Sequence, residues 1–472
     1  MCRNKNLLVH LMCLIIIALL TGSAANVMAD GSSYKFDELV CRMEDGFDIS
    51  AVLDSFDLDL KGYQQPTNCY LLGTQGGMDA ESLAQIISGL PQVQYCGANY
   101  YLDAPEPYQR SQPFLDNNYI GDINTQPAVA TLSLLESNLI STGEDVKIAV
   151  IDGGVNLTHP EFSTKSAGIH SGWDFIDNDS LAFDEPGGAG SGHGTFVAGI
   201  IKLTAPGAEI YAYRALDTLG RGDGYTLADA VLRAIDDSCK VINLSLGMIG
   251  RHEALDDAIK FAEKNHVIVV AAAGNDSTAV DYLFPFPATK ANCIAVSALD
   301  SNNVKAEFSN YGQKTNLCAP GVNIYAPYLE SYYAWWDGTS FSAPFVSGTA
   351  ALIVSIAPQL SWETIDTILY QSAVNLDTLN PGLEGLLGAG LVDPRAALRL
   401  TIERTCGDCN NSGSVNVSDV VYLVNYVFTG GPEPITPLAG DPDCSGNINV
   451  TDAVYLINYI FSSGPEPCHL CK

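Results

Sequence analysis

Positive charge is scarce along this chain. Its 472 residues hold 23 Lys and Arg against 54 Asp and Glu, a formal net charge of −31. No basic run follows the first few residues, which excludes nucleic acid and anionic membrane surfaces as partners recognised by charge. Long apolar runs are scarce as well. The one near the start, Leu11 to Leu20, follows Arg3 and Lys5 and precedes the small residues Ser23-Ala24-Ala25 and Ala29. That is the layout of a secretory signal over residues 1–29, with cleavage after Ala25 or Ala29. An uncleaved anchor is the alternative, but the run falls short of the ~18 apolar residues of a membrane helix, and no later stretch approaches that length. A secreted, extracellular chain without stable membrane insertion is expected. Histidine is scarce too, seven in all, so the setting of each one carries information.

Cysteine is unevenly spread. Of 13, five crowd the end of the chain: Cys406, Cys409, Cys444, Cys468 and Cys471. Export permits disulfides there. The two CxxC pairs could hold zinc instead, but calcium-type loops lie between them, which favours bridges. Five is odd, so one thiol is left free or pairs outside the segment.

Residues 30–110 alternate short apolar strands with helical spacing. Leu39 to Met43, Leu58 to Tyr63, Asn68 to Gly73 and Val93 to Leu102 read as strands, and Ile49 to Phe56 and Ala80 to Leu90 as helices. The order βαββαβ predicts a small two-layer α+β unit, ferredoxin-like in plan. It has no cluster of catalytic residue types. A loose stretch rich in Pro, Gln and Asn follows, from Asp103 to about Asn118, with residues 111–124 as linker.

From 125 to 403 buried strands alternate with helices, the pattern of a mostly parallel sheet covered on both faces. The strand Val146 to Ile151 runs into Asp152-Gly153-Gly154-Val155, placing Asp152 at a strand's carboxyl end, where functional groups gather. Ser191-Gly192-His193-Gly194-Thr195 leads into an apolar helix; glycines on both sides let other backbone approach, and imidazole is the usual base near neutral pH. Ser245-Leu246-Gly247 follows a third strand, and Ala271-Ala272-Ala273-Gly274-Asn275 a fourth. Asn275 could donate its amide to an oxyanion. Last, Gly338-Thr339-Ser340-Phe341-Ser342-Ala343-Pro344 precedes an apolar helix to Ile356, setting Ser340 near a helix N-terminus. Taken singly, each residue has a plainer reading: Asp152 and Asn275 as turn residues, Ser340 as a helix cap.

Together they have an order, Asp152, His193, Asn275, Ser340, and over about Val146 to Leu398 the quoted pieces resemble the subtilisin-like (subtilase) serine proteases. The resemblance implies an Asp-His-Ser triad of Asp152, His193 and Ser340, with Asn275 and the Ser340 N–H as oxyanion donors. It implies substrate pairing along Ser245, Leu246 and Gly247, and a pocket lined by Leu246 and Ala272 to Gly274, thus including Ala273. It also implies that residues 30–110 are a propeptide, making the chain a zymogen processed within Asp103 to Asn118. One departure is notable: the family has Ser or Thr where this chain has Gly153. Another is the short segment Ile201 to Ala205 after His193, which leaves little room for a metal site sometimes built there.

Residues 404–472 contain a duplication. Asp408 to Asp419 recurs as Asp441 to Asp452, each followed by a near copy ending in Gly-Pro-Glu-Pro. The spacing of oxygen-bearing residues is that of an EF-hand loop; a pair of turns is the alternative, but the duplication favours two calcium sites, with Ca2+ as cofactor. The ligand candidates are Asp408, Asn410, Ser412, Ser414 and Asp419, then Asp441, Asp443, Ser445, Asn447 and Asp452. Asp at the last position, with no helix before the loop, resembles the type I dockerin repeat. That resemblance implies docking to a cohesin-like module or surface-anchored scaffold. The second loop has one more carboxylate, so the tighter site is expected there.

The fold expected is thus α/β, a subtilisin-like sheet with a small α+β unit before it and paired half-EF-hands after it. The function expected is a secreted serine endopeptidase acting on proteins or peptides, with no cofactor needed for the chemistry. The alternative is an inactive protease-like scaffold for calcium-dependent docking.

Overall fold

Val241-Ile242-Asn243-Leu244 is buried at every position, so the strand it forms, β10, must be covered on both faces. It is the centre of a seven-stranded sheet whose neighbours all run parallel. In chain order its members are β6 (Lys147–Asp152), β7 (Ile169–Asp174), β8 (Glu209–Arg214), β10 (Val241–Leu244), β11 (Ile268–Ala272), β12 (Ile294–Leu299) and β13 (Leu317–Pro320). They lie in the order β13-β12-β11-β10-β6-β8-β7. The computed structural model describes residues 34–75, 78–104, 106, 113–116, 122–163, 168–248, 250, 252–278, 286–434 and 436–468. The signal expected over residues 1–29 lies outside them.

Helices α3 (His193–Thr204) and α6 (Ala343–Ile356) pack together on one face of the sheet, and α4 (Gly224–Asp236) and α5 (Glu253–Lys264) on the other. Residues Thr339–Ile356 are apolar enough to match a membrane span in length, contrary to the reading that no later stretch comes near it. They are 89% buried inside the protein, which makes this the core helix of the sheet. A hairpin of β14 (Ile324–Pro327) and β15 (Tyr333–Trp336) lies beside α3.

The N-terminal unit folds as β1 (Tyr34–Met43), α1 (Ser50–Phe56), β2 (Leu58–Gln64), β3 (Cys69–Thr74), α2 (Ala80–Ser88) and β4 (Val93–Asp103). Its first strand starts earlier than Leu39, because Tyr34 and Lys35 pair with Tyr100 and Asn99 beyond a bulge. Its own core closes around Leu39, Phe56, Leu72 and Ile87, with a Cys41–Cys96 bridge. The unit then joins the next domain edge to edge: β4 pairs antiparallel with β9 (Arg221–Asp223). Charge fixes this contact. Lys35 Nζ lies 2.8 Å from Asp223 and Arg42 2.6 Å from Asp257.

The stretch opening at Asp103, expected to be loose, is held at both described ends. Asp103 exchanges two backbone hydrogen bonds of 3.0 Å with Gly247. Further on, β5 (Phe114–Asp116) adds an antiparallel edge strand to β15. The reason is main-chain satisfaction: open edges at Gly222, Gly247 and Ala334 offer partners that composition does not advertise.

Helix α7 (Trp362–Ser372) packs on α8 (Pro394–Thr405), which leads into the C-terminal repeat, whose helices α9 (Val417–Thr429) and α10 (Val450–Ser462) pack on each other through Leu423 and Leu456. A helix therefore does precede the first loop, and a single turn, Pro437–Gly440, precedes the second. Cys406 bridges Cys468, and Cys444 is also in a disulfide, so bridges rather than zinc account for these three. Cys409 is the thiol left free among the described residues of this segment, and it is buried.

Candidate active site

Three strand ends and two helix starts converge. Asp152 is the last residue of β6, Ser245 follows β10, and Asn275 stands three residues past β11. His193 opens α3, and Ser340 sits in a 3-10 turn, Thr339–Phe341, just before α6. Ser340 does not cap that helix; Ser342 holds the cap position, and Pro344 falls in the first turn, where a missing N–H costs nothing.

His193 Nδ1 lies 2.9 Å from both carboxylate oxygens of Asp152, and each side chain is 1% exposed. Asp152 is further held by the Gly153 N–H at 2.7 Å. A Cβ on Gly153 would meet nothing nearer than 4.0 Å, so the missing hydroxyl leaves space rather than a clash. The rings of Phe341 and Trp336 wall the imidazole, and Phe196 packs behind them against both. Asn275 is oriented by its own carbonyl, which accepts from the N–H and hydroxyl of Thr339 at 2.9 and 2.8 Å. Its Nδ2 is thereby left to point into the site.

What meets these groups is Glu106, from the stretch read as linker. Its Oε2 accepts from Ser340 Oγ at 2.8 Å and lies 3.1 Å from His193 Nε2; its Oε1 accepts from Asn275 Nδ2 at 2.9 Å. The carboxylate is completely buried. Upstream of it, Ala104 N–H donates to Gly220 O and Asp103 pairs with Gly247, as an extended peptide would lie along an enzyme cleft. Burial alone would pull the His193 imidazole down, but Asp152 and then Glu106 override it and push it up to about 10.

The remaining expected residues divide. Gly247 pairs with the inserted strand, while Ser245 turns its carbonyl to Ser340 Oγ at 3.1 Å and its hydroxyl to Ser340 O at 2.6 Å. Leu246 is buried. Ala273 and Gly274 use their backbone internally: Ala273 N–H donates to Val296 O, and Gly274 N–H to Thr339 Oγ1 at 3.0 Å. They brace the Asn275 turn. The resemblance further implies a pocket floor from Asp276 to Pro287, of which residues 279–285 lie outside the described residues. Sequence reasoning missed Glu106 altogether; a lone glutamate between two prolines carries no signal of where it will sit.

At the other end of the chain, Asp441, Asp443 and Asp452 bring carboxylate oxygens within 4.8 Å of one another. Asp452 is buried, and its Oδ1 has no hydrogen-bond partner. Three converging carboxylates with an orphaned oxygen fit a hard divalent cation such as calcium. In the first loop Asp408 Oδ1 accepts from Ser412 N at 2.9 Å and Asp419 Oδ2 from Asn416 N at 2.9 Å. Asn416 and Asn449, not among the expected ligands, cap α9 and α10.

A hydroxyl, an imidazole held by a buried carboxylate, and an aimed amide donor at the carboxyl ends of a parallel sheet's central strands are the equipment of a serine-type peptidase. Comparison with known proteins agrees. Residues 143–390 match the Subtilase family and residues 406–461 the Dockerin type I domain. The chain belongs to the subtilase family, whose members are serine-type endopeptidases, and carries a dockerin type I domain. It is 41% identical to thermitase of Thermoactinomyces vulgaris over 227 residues, 46% of this chain and 77% of that protein. It is 38% identical to subtilisin BL of Lederbergia lenta over 267 residues, 55% of this chain and 92% of the relative. Among solved structures, fervidolysin from Fervidobacterium pennivorans, described as a keratinolytic enzyme related to subtilisin, aligns with a TM-score of 0.65 at 22% identity. That alignment covers 79% of this chain and 62% of fervidolysin, and it bears on fold alone.

Proposed function

We propose that this chain is an exported endopeptidase in which Ser340 attacks the carbonyl of a peptide bond. His193 takes the hydroxyl proton at Nε2 and returns it to the leaving amine, giving an acyl-enzyme that water then hydrolyses. Asp152 keeps Nδ1 protonated and stabilises the imidazolium. The Asn275 amide and the Ser340 N–H receive the oxyanion, and Gly247 pairs with substrate backbone. One observation carries the reading: Ser340, His193 and Asn275 all grip one buried carboxylate, so the three groups converge on the space an acyl carbon and its oxygens would fill.

The N-terminal unit serves as a propeptide that keeps the enzyme silent until processing downstream of Glu106. The C-terminal loops hold calcium, with Asp408, Asn410, Ser412, Ser414 and Asp419 at one site and Asp441, Asp443, Ser445, Asn447 and Asp452 at the other. Calcium there organises a docking surface, for a cohesin-like module or anchored scaffold, and takes no part in peptide hydrolysis. Proteins and peptides are the substrates.

Labelling with a serine-directed phosphonate tests the chemistry. The processed wild type takes up the label and Ser340→Ala does not; a processed wild type that stays unlabelled would favour a docking scaffold without activity.

A further inference from the structure

His193 opens α3, yet the residue before it, Gly192, has no side chain with which to cap that helix. Glycine is required there: its φ is +88°, and a Cβ would lie 2.1 Å from the Tyr328 ring. The capping passes to Asp184, whose side chain is buried. Asp184 Oδ1 accepts from the Gly192 N–H at 2.8 Å; Oδ2 accepts from the Thr195 N–H at 3.1 Å and the Thr195 hydroxyl at 2.6 Å. Two free N–H groups of the first turn are thus satisfied by one remote carboxylate.

The same threonine reaches the other half of the catalytic pair. Thr195 Oγ1 accepts from the N–H of Asn156 at 2.9 Å, in the loop that leaves Asp152. That loop is locked to the Asp184 segment a second time, by Val155 N–H to Ala182 O at 3.0 Å. A third lock is steric, since a Cβ on Gly154 would stand 2.5 Å from Phe183 O. Residues 182–184 are therefore wedged between the loop after Asp152 and the turn that begins with His193.

We propose that Asp184 is a positioning residue for peptide hydrolysis. It fixes the start of α3 against the 153–156 loop and so sets the His193–Asp152 hydrogen bond. It touches no substrate and acts through Gly192 and Thr195. Three donors converge on its oxygens, which suits the ionised form. Burial, with Asp152 adding to it, outweighs those donors and holds its carboxyl at about 7. The inference rests on His193 acting as the base.

The test expresses the full-length chain, lets it process, and measures kcat and KM per Ser340 titrated with phosphonate. Asp184→Asn keeps the volume and removes the charge. It lowers kcat by at least about 10-fold, since a ~1 Å misplacement of catalytic groups costs up to about 10²-fold. KM stays within about twofold, the mark of an interaction that matters in the transition state. The proton resonance of His193 Nδ1 shifts as well. Thr195→Val, which cuts both hydrogen bonds of the hydroxyl (to Asp184 and from the Asn156 N–H) and keeps the backbone one, moves kcat the same way; if Asp184→Asn does not fold, Thr195→Val carries the test. A kcat per titrated site that stays at the wild-type value overturns the proposal, even where melting temperature falls. Wild-type turnover with unchanged variants removes this inference alone, whereas a wild type that neither labels nor turns over removes the protease reading and this one with it.

Discussion

Glu106 Oε2 accepts the hydroxyl proton of Ser340 at 2.8 Å. In the proposed mechanism, Ser340 thus has its hydrogen engaged by a carboxylate while the oxyanion donor Asn275 is taken by the same carboxylate, so no peptide carbonyl can enter. The side chain, not the backbone of the inserted segment, closes the centre.

Removing that carboxylate should open the centre. Glu106→Ala in the full-length chain shortens the time to loss of the N-terminal unit several-fold, followed by gel and by the new N-terminus. Glu106→Gln gives a smaller effect, because its amide keeps one acceptor but loses the charge facing His193. Processing as slow as wild type in Glu106→Ala would show that other contacts silence the enzyme.

The His193 imidazole predicts a pH dependence. Its pKa is raised from the ordinary 6.5 to about 10 by Asp152 and Glu106 against burial. A group raised on folding stabilises fully below its unfolded value and loses that contribution as pH climbs through its folded value. The full-length Ser340→Ala chain, which cannot digest itself, should therefore lose stability between about pH 6.5 and 10. The loss is smaller in Ser340→Ala with Glu106→Gln, so the difference between the two denaturation series isolates the Glu106 share from the repulsion of a net charge of −31.

Gly153 should tolerate the hydroxyl it lacks. The Asp152 carboxylate already has the Gly153 N–H, and a Cβ there has open space. Gly153→Ser is expected to leave kcat/KM within about threefold of wild type, below ~1 kcal/mol of barrier. A loss of two orders of magnitude would mean that the glycine is needed for the turn.

The two calcium loops should differ. Asp443 gives the second loop a carboxylate where the first has Asn410, and ligand charge tunes affinity. Calorimetry on the full-length Ser340→Ala chain should resolve a tighter and a weaker site. Asp443→Asn weakens the tighter one by about 10-fold, bringing the two together. Chelation loosens residues 406–468 and leaves the peptidase sheet intact, since Leu423 and Leu456 share a core separate from it.

Much of this protein was written in residue order and spacing. Asp152, His193, Asn275 and Ser340 could be picked out as candidates because strand ends and helix starts carry local signals, and functional groups gather at the carboxyl ends of parallel strands. The repeat was legible because duplication preserves spacing. The parallel sheet and the α+β unit were legible because periodicity is local.

Only the tertiary structure decided the rest. That Glu106 closes the centre depends on β4 pairing with β9 and Gly247, contacts between segments more than a hundred residues apart, where no local rule reaches. Asp184 is likewise an unremarkable acid in a glycine-rich loop until folding buries it beneath the first turn of α3. Sequence determined which chemical groups this chain owns and roughly which strand ends present them. Burial and long-range pairing, which reward whatever satisfies a hidden donor or an open edge, decided which of them meet.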